Sequence, residues 1–474
     1  METVKKTKVD TSVFAPLSWD DETFEKWRYI QDEKADLVAE KIIASPHHFQ
    51  VYQALSNIQK NNDQVHVSIF EKVAPDGKIN EEHHRLTSLL QEYFEDTSLL
   101  TYFSEHKEEV QKCCNFFFDH AIEATIVLAV RSLLKQYAAF RATNVLMFTK
   151  MLTRFPHRRI LETMQFVIDV MDPKGYEPDG YALRSIQKLR LVHAMIRARI
   201  KAGMHETEDK NGWNEEWGLP INQQDMIFAV HTFSVEVIDG LKAGAEKVTD
   251  EERDNYYLTW HYIGKALGVN DEINPMNYAD GKALQQRIYD KEFIENSPNG
   301  PLLSEPLLEF MDKTLPVHPN RRHIYAIIKL YNEKDHKNQL IFENILKIPI
   351  SQSDEGFLLA VKVGDWLWHK LVFIRYLLTP KSKKPLFYHA LAMKNFNMLR
   401  AVEGLEKTWS GKHFRITDGF GDLAARKDEE VMRKSSFLFR VAHKFVDNLE
   451  KNHPSHLVEI IHKILFKKHY QQET

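Results

Sequence analysis

The sequence predicts an all-α fold, with a single large helical domain and helical extensions at both ends. Glycine and proline are scarce, at 18 and 17 of 474 residues, and this scarcity favours helices over a strand-and-turn architecture. Apolar residues recur at three- and four-residue steps through most of the chain, which is the spacing of a buried helix face. No internal repeat, low-complexity block or Gly/Ser-rich linker interrupts this pattern. With 43% hydrophobic and 27% charged residues, the chain has the composition of a globular protein with a core.

The chain divides into four predicted regions. Residues 1–18 form an extended leader, 19–79 an N-terminal helical extension, 80–345 the core domain, and 346–474 a C-terminal helical extension. Helical periodicity predicts helices over the ranges 20–45, 105–153, 158–171, 179–203, 221–242, 249–267, 277–297, 302–313, 318–332, 356–378, 384–408 and 440–469.

Two local signals are sharper than this periodicity. The helix over 249–267 begins with a capping box, Thr249 with Glu252, and ends at Gly268. The clearest strand signal lies at 64–70, where three β-branched residues alternate with polar ones. That segment is short and has no obvious partner strand.

The composition excludes several classes of protein. A net charge of −4 argues against a broad nucleic-acid-binding surface. The only cysteines, Cys113 and Cys114, are adjacent, so no disulfide framework or Cys-based zinc site is expected. No secretory signal and no apolar run long enough to span a membrane is visible, so we expect a cytoplasmic protein. The amphipathic segment 455–470 is expected to dock on the body of the protein, with peripheral membrane contact as the alternative. The sequence does not fix the oligomeric state.

The segment LRLVHAMIR (189–197) places a histidine between two arginines on one side of a helix. Arg190 precedes His193 by three residues and Arg197 follows it by four, among isoleucines and leucines. Heme explains this mixture, with imidazole on the iron, aliphatic side chains against the porphyrin and arginines on the propionates. The neighbouring positive charges also favour a neutral imidazole, as ligation requires. The pattern alone is more typical of a packed core histidine whose arginines pair with acids from elsewhere.

The preceding predicted helix carries a second polar group. Arg159 and Thr163 are four residues apart and share a face, and Glu162 is within reach of Arg159. The pattern alone favours a surface Arg–Glu pair beside a buried threonine.

Four segments, taken in order, resemble the oxygenase family that includes MpaB and the latex-clearing rubber oxygenase. They are RRILETMQFVIDVM (158–171), IQKLRLVHAMIR (186–197), GLPINQQDMIFAVHTFSVEVIDGL (218–241) and YLTWHYIGKALGV (257–269). In that family an Arg-x-x-x-Thr pair precedes the heme-ligating histidine by a fixed interval. Arg159, Thr163 and His193 match it, with His193 30 positions after Thr163. The resemblance covers about residues 110–270.

The resemblance implies an all-helical fold of globin-like character with heme b bound through His193 as the metal ligand. It places Arg190 and Arg197 near the heme propionates, and it gives Arg159 and Thr163 the task of shaping the pocket or holding the cofactor. The implied activity is oxidative cleavage of a carbon–carbon double bond in a hydrophobic, isoprenoid- or lipid-like substrate, with O₂ as co-substrate. The face of the iron opposite His193 is then open to O₂ and the substrate.

The sequence departs from the rubber oxygenases at two points. Those enzymes have a lysine directly before the threonine, able to occupy the distal iron position, whereas this chain has Glu162. If Glu162 is buried it is expected to act as a proton acceptor, and it joins Arg159 and Thr163 as a candidate catalytic residue. The distal glutamate that acts as a base in the rubber enzyme has no acidic counterpart in 140–148, so the catalytic base is not assigned. Without an export signal, a small intracellular lipid or terpenoid is a better substrate than rubber.

Other histidines offer alternatives. Glu-x-x-His occurs at 81–84 and 333–336, a spacing found in di-iron carboxylate bundles, but both copies lie in charged stretches. His231 and His261 lie on amphipathic helices and are expected to be packed, with pocket lining or competition with His193 as the alternative. Two other functions also fit the sequence. One is a non-catalytic heme- or apolar-ligand-binding protein, such as a sensor or carrier, and the other is a helical scaffold that has lost its cofactor.

Overall fold

The computed structural model describes residues 14–74, 77–204, 212–295, 297–314, 320–332 and 340–363. Within these ranges the regular secondary structure is helical, and the only β-type pairing is one isolated antiparallel bridge between Ala139 and Phe293. The predicted all-α fold with one large helical domain is confirmed.

We number the α-helices of the described residues in chain order. They are α1 Ala15–Ser18, α2 Asp21–Lys26, α3 Glu33–Ile43, α4 His48–Leu55, α5 Glu81–Glu95, α6 Thr101–Glu105, α7 Lys107–Asp119, α8 Ala121–Val127, α9 Leu133–Ala138, α10 Phe140–Thr149, α11 Met151–Arg154, α12 Pro156–Met171, α13 Ala182–Lys201, α14 Gln223–Phe233, α15 Val235–Ala243, α16 Asp250–Ala266, α17 Tyr278–Glu292, α18 Asn299–Thr314 and α19 Arg321–Asn332. Short 3₁₀ helices and two π-helical turns, Leu128–Ser132 and Ile341–Ile345, connect some of them.

The predicted start and end of α16 are confirmed. The Thr249 hydroxyl accepts from the Glu252 backbone N–H, and the Glu252 carboxylate accepts from the Thr249 backbone N–H, which completes the capping box. Beyond the last turn, Gly268 adopts a φ of +95°, and the Val269 N–H reaches back to the Gly264 carbonyl at 3.0 Å. This Schellman arrangement closes the helix in the way that a glycine at this position predicts.

Two long predicted helices are broken in the structure. The range 105–153 is divided among α7 to α11, with a π-helical turn at Leu128–Ser132 and an extended residue, Ala139, where the isolated bridge forms. The range 221–242 is divided at Ser234 into α14 and α15. Apolar periodicity continues through such breaks, because both halves bury the same side, and it therefore does not reveal them.

The predicted strand at 64–70 is wrong. The segment is irregular and contains a 3₁₀ helix, Val67–Ile69, although Val65, Ile69 and Phe70 are buried. A strand needs a neighbour to pair its backbone N–H and C=O groups, and no described segment lies beside this one as a strand.

Helix α13 lies between two hydrophobic clusters and contributes residues to both. Its Ile186 belongs to a large cluster built by α7, α8 and α12 to α17. Its Leu191, Val192 and Met195 belong to a second cluster with α3, α4 and α5 from the N-terminal region. A third cluster joins α9, α12, α18 and α19. The three clusters meet around α12 and α13, the two helices that carry the predicted site residues.

No single described helix has the length and hydropathy needed to cross a membrane. One pair, Lys107–Asp119 with Ala121–Ala138, meets that requirement only when both helices are counted together, and it is bent by 78°.

Several predicted elements lie outside the described residues. They are most of the leader, most of the helix over 356–378, and the helices over 384–408 and 440–469 with the amphipathic segment 455–470.

Replacing Gly268 with alanine should destabilise the fold more than the same change at Gly203. Both glycines have positive φ, +95° and +67°, but a Cβ on Gly268 overlaps the Asp32 carboxylate, whereas a Cβ on Gly203 meets nothing within 4 Å. We expect Gly203→Ala to lower the free energy of unfolding by about 1 kcal/mol and Gly268→Ala by more than about 2 kcal/mol. Urea denaturation measures both values, and equal losses would contradict the packing at Gly268.

Candidate active site

Both arginines that flank His193 on α13 form ion pairs with aspartates of the N-terminal region. Arg190 donates from Nε and Nη2 to the two carboxylate oxygens of Asp32, at 2.6 and 2.7 Å. Arg197 donates from Nε to Asp36 Oδ1 at 2.7 Å. Asp32 is the N-cap of α3, and Asp36 lies in its first turn. These largely buried pairs fasten α3 to α13 on both sides of His193.

This geometry corrects one argument from the sequence. The heme interpretation placed the two guanidinium groups on propionates, yet Asp32 and Asp36 supply the negative charge from within the chain, as the alternative interpretation expected. Neither Arg190 nor Arg197 is among the residues that line the cavity beside His193. The structure thus does not bring these two arginines to the cavity, and their contact with heme propionates stays a prediction.

His193 borders a cavity of about 240 Å³, which we call the first cavity, enclosed by α9, α10, α12, α13, α14 and α16. Burial lowers the pKa of the imidazole to about 3, with smaller contributions from the charges of Arg197 and Arg159. The ring is therefore neutral at pH 7, as the sequence argument expected. The main cause is burial, and the positive charges that lower its pKa further are those of Arg197 and Arg159, not Arg190.

The Nδ1 atom of His193 is buried and makes no hydrogen bond with any described residue. A buried ring nitrogen without a partner costs about 1–3 kcal/mol. Each such group in a native protein calls for an explanation, such as a catalytic role or a bound water or ion. His231 Nδ1 is also buried without a described partner, so what sets His193 apart is that it borders the first cavity.

Arg159, Glu162 and Thr163 border the same cavity from α12. Arg159 Nη1 donates to Thr163 Oγ1 at 3.0 Å, and that hydroxyl donates to the Arg159 carbonyl at 3.1 Å. Glu162 is buried and accepts from Arg158 Nε at 3.0 Å, while Arg159 Nη1 lies 3.9 Å from its other oxygen. The structure therefore brings these three residues and His193 together, and the surface-pair alternative does not describe them.

The two charged residues of α12 that border the first cavity have different partners. The Glu162 carboxylate has the buried Arg158 guanidinium as its partner, so its negative charge is compensated inside the protein. Arg159, by contrast, has a neutral hydroxyl as its hydrogen-bond partner. Among the described residues that line the first cavity, Arg159 is the one Lys or Arg side chain, so it is the cation available to an anionic ligand group.

Asp225 is a cavity residue that reasoning from the sequence missed. It lies in the first turn of α14, behind its N-cap Asn222, and borders the first cavity. Burial raises the pKa of its carboxyl to about 6, against the opposing charge of Arg28. The signal was present within PINQQDM (220–226), where an acid follows a capping residue by three positions. Only the fold shows that this acid is buried beside the cavity.

A second cavity of about 220 Å³ adjoins the first. It is enclosed by apolar side chains from α7, α8, α9, α12, α18 and α19. Its hydroxyl groups come from Thr125 and Thr163, and each donates to the backbone carbonyl four residues earlier in its own helix. The two cavities share four lining residues: Leu133, Ile160, Thr163 and Phe233. The first cavity, which has a few polar groups among mostly apolar side chains, thus borders a chamber that offers almost only hydrocarbon contacts.

The alternative histidines lie elsewhere. His231 pairs with the Tyr257 hydroxyl at 3.1 Å, and His261 Nδ1 lies 3.0 Å from the Pro275 carbonyl. Neither histidine lines either cavity. Within the described ranges, no group of three or more His, Cys, Asp and Glu side chains is arranged to hold a metal ion. The second Glu-x-x-His, at 333–336, lies outside the described residues.

Part of the chain is similar to known oxygenases. Residues 120–340 match the family model described as ER-bound oxygenase mpaB/B'/Rubber oxygenase, catalytic domain. This range contains α12, α13, α14 and α16, the helices that supply most of the first cavity. The chain resembles the MpaB and rubber oxygenase family.

One curated relative and one solved structure support the resemblance. The rubber oxygenase of Streptomyces sp. (strain K30) is 27% identical over 153 residues, which are 32% of this chain and 36% of that protein. The chain thus spans about a third of the length of this relative. The structure of latex clearing protein LCP in the closed state aligns with a TM-score of 0.54 at 18% identity, covering 78% of this chain and 90% of that one. This alignment shows a shared all-α fold.

Proposed function

We propose that this chain is a heme-b-dependent oxygenase that uses O₂ to cleave a carbon–carbon double bond in a hydrophobic substrate. The observation that carries the proposal is His193, a neutral imidazole with an unpartnered, buried Nδ1, beside a cavity that also presents Arg159. The similarity of residues 120–340 to an oxygenase catalytic domain supports the oxygenase role.

The residues of the first cavity fit the group that the family implies. His193 would hold the iron through a ring nitrogen, and its low pKa keeps the imidazole neutral at pH 7, as metal binding requires. Arg159 would hold a propionate, and Thr163 orients it, since the Thr163 hydroxyl both accepts from the guanidinium and donates to the backbone. Heme, when bound, supplies an iron centre that reacts with O₂.

The second cavity supports a hydrophobic, isoprenoid- or lipid-like substrate. A polar group bound there would lose its hydrogen bonds to water, because the two threonine hydroxyls that border it already donate to backbone carbonyls. Leu133, Ile160, Thr163 and Phe233, which line both cavities, form the wall that the cavities share. An apolar chain placed across this shared wall would bury hydrocarbon in the second cavity and reach the polar residues of the first. The cytoplasmic location favoured by the sequence stays a prediction, and so does an intracellular lipid or terpenoid as substrate.

A second candidate function is a non-catalytic heme- or apolar-ligand-binding protein. The Arg158 pair favours it, because the Glu162 carboxylate is already engaged with a buried guanidinium. Glu162 would then help to shape the cavity without taking part in a reaction.

Purified protein, or protein supplied with hemin, should show a Soret absorption band that is lost in His193→Ala. The change removes the axial ligand that the proposal assigns. His231→Gln and His261→Gln should keep the band, because neither histidine lines a cavity. A colourless protein that stays colourless with hemin, or a band that survives His193→Ala, would count against the proposed ligand.

Arg159→Gln should weaken hemin binding by about 10-fold or more, since a hydrogen bond to a charged group contributes roughly 1.5–3 kcal/mol. Arg253→Gln is the control, because its guanidinium pairs with the exposed Asp250 and Asp254 and does not line the cavity. Fluorescence-quenching titration with hemin measures both affinities. An equal affinity in Arg159→Gln and Arg253→Gln would contradict the assignment of Arg159 as the propionate partner.

Hemin-loaded protein should consume O₂ when given isoprenoid alcohols or unsaturated fatty alcohols, and should yield carbonyl products. Saturated alcohols of equal chain length are the control, because they lack the double bond that is cleaved. An oxygen electrode and mass spectrometry of the products provide the measurement. Binding of these alcohols without O₂ uptake would favour the non-catalytic alternative.

A further inference from the structure

Asp225 borders the first cavity, and the proposed function leaves it without a role. Its side chain is 9% exposed, and Oδ2 accepts a hydrogen bond from Asn222 Nδ2 at 2.9 Å. The buried Oδ1 accepts no hydrogen bond from any described residue. Arg28 Nη1 lies 3.2 Å from Oδ1, but it is not aligned to donate to it. One buried carboxylate oxygen is therefore incompletely compensated.

Asp225 stands at the inner end of a charged network that extends to the surface. Arg28 Nη1 donates to Glu292 Oε1 at 3.1 Å, and Arg141 Nε donates to the same oxygen at 2.6 Å. Arg141 also binds Glu25 Oε2 at 2.6 Å, and the Glu25 side chain is 32% exposed. Within the described part of the chain, this network has three carboxylates and two guanidinium groups. With every group ionised, it carries one excess negative charge.

The geometry shows which carboxyl group relieves that excess charge most readily. Glu292 accepts from Arg28 and from both the side chain and the backbone of Arg141. Glu25 is partly exposed and paired with Arg141. Asp225 lacks a hydrogen bond from either guanidinium, and burial raises its pKa to about 6. When the network takes up a proton, we therefore expect it to bind to the Asp225 carboxylate.

The surroundings of Asp225 contain other charged and titratable groups. Those of its own network come from α2, the 3₁₀ helix Trp27–Tyr29, α10 and α17, and those that border the same cavity come from α9, α12 and α13; they are Glu25, Arg28, Arg141, Glu292, Tyr137, Arg159, Glu162 and His193. Across the cavity, Glu162 accepts a hydrogen bond from Arg158, and His193 is neutral. Asp225 differs from Glu162 because one of its buried oxygens accepts no hydrogen bond from a described residue.

We propose that Asp225 is the group that exchanges a proton with the contents of the first cavity. In the transfer, an X–H bond of the bound ligand or water breaks, an O–H bond forms on the Asp225 carboxylate, and the bonding electron pair stays with X. The neutral acid returns the proton in the reverse step, so no oxidant or reductant is required. The identity of the ligand rests on the proposed function, whereas the exchange itself does not.

Infrared difference spectra between pH 4 and pH 8 test the exchange on the full chain without added hemin. The wild type should show the C=O band of a buried protonated carboxyl that disappears with a midpoint near pH 6, and Asp225→Asn should lack this band. Glu162→Gln is the matched control, because it removes the other acid of the same cavity and should keep the band. If Asp225→Asn leaves the wild-type titration unchanged, the proposal is overturned.

The pH dependence of stability gives a second readout. The pKa of Asp225 is about 6 in the folded chain, above about 3.9 in the unfolded chain. Its contribution to stability is therefore fully present below about pH 4 and is lost as the pH rises through 6. Between those pH values, the unfolding equilibrium constant of the wild type should rise by up to about 100-fold more than that of Asp225→Asn. Parallel pH profiles in urea denaturation would contradict the proposal.

A third comparison covers the case in which Asp225→Asn does not fold. Wild type and Asp225→Glu, which keeps the charge, are each labelled with ¹³C at the aspartate carboxyl carbons. The signal lost in Asp225→Glu should titrate near pH 6 in the wild type. Titration of that signal below pH 5 would overturn the proposal.

Hemin-loaded protein separates this proposal from the proposed function. Asp225→Asn should bind hemin with an unchanged Soret band, but it should lose the acidic limb of the pH profile of O₂ uptake. A chain that binds no hemin and keeps the infrared titration would refute the heme assignment and support proton exchange at Asp225. A chain that binds hemin and shows no such titration would refute only the role of Asp225.

Discussion

The position of α13 depends on two ion pairs that hold it against α3. Asp32–Arg190 and Asp36–Arg197 lie before and after His193, so the turn that carries the imidazole is anchored from both ends. Breaking one such pair leaves an uncompensated charge in a buried setting, which costs about 3–5 kcal/mol. Rotation or sliding of α13 would break both pairs at once. The orientation of His193 toward the cavity is therefore set by residues of the N-terminal region.

Helix α12 lies between the first and the second cavity. Arg159 and Glu162 border the first cavity, Leu161 and Val167 border the second, and Thr163 borders both. Because residues three and four positions apart share a helix face, one helix can present a polar surface to one chamber and an apolar surface to its neighbour. A ligand that spans both cavities would therefore place its polar end in the first cavity and its apolar part in the second.

Parts of this structure can be predicted from sequence because their causes are local. The capping box at Thr249 and the helix end at Gly268 depend on neighbours within a few residues, and the side shared by Arg159 and Thr163 follows from their spacing. The partner of Arg190 could not be predicted, because Asp32 is 158 residues away. The pairing agrees with the alternative that the sequence left open, in which the arginines pair with acids from elsewhere, but the sequence did not show which acids these are. Asp225 was missed for a related reason, since only tertiary packing buries it beside the cavity.

The protonation states around the first cavity follow from where compensating charges lie. His193 has lost its proton through burial and is neutral at pH 7, and the Glu162 carboxylate is paired with the Arg158 guanidinium. Arg28 lies close to both Asp225 and Glu292, but it donates its hydrogen bond to Glu292. A carboxyl group that is buried yet incompletely paired is the one whose charge responds to small changes in its surroundings. The fold thus places a carboxyl group with a pKa near 6 on the same cavity as a neutral imidazole, an arrangement suited to acid–base chemistry.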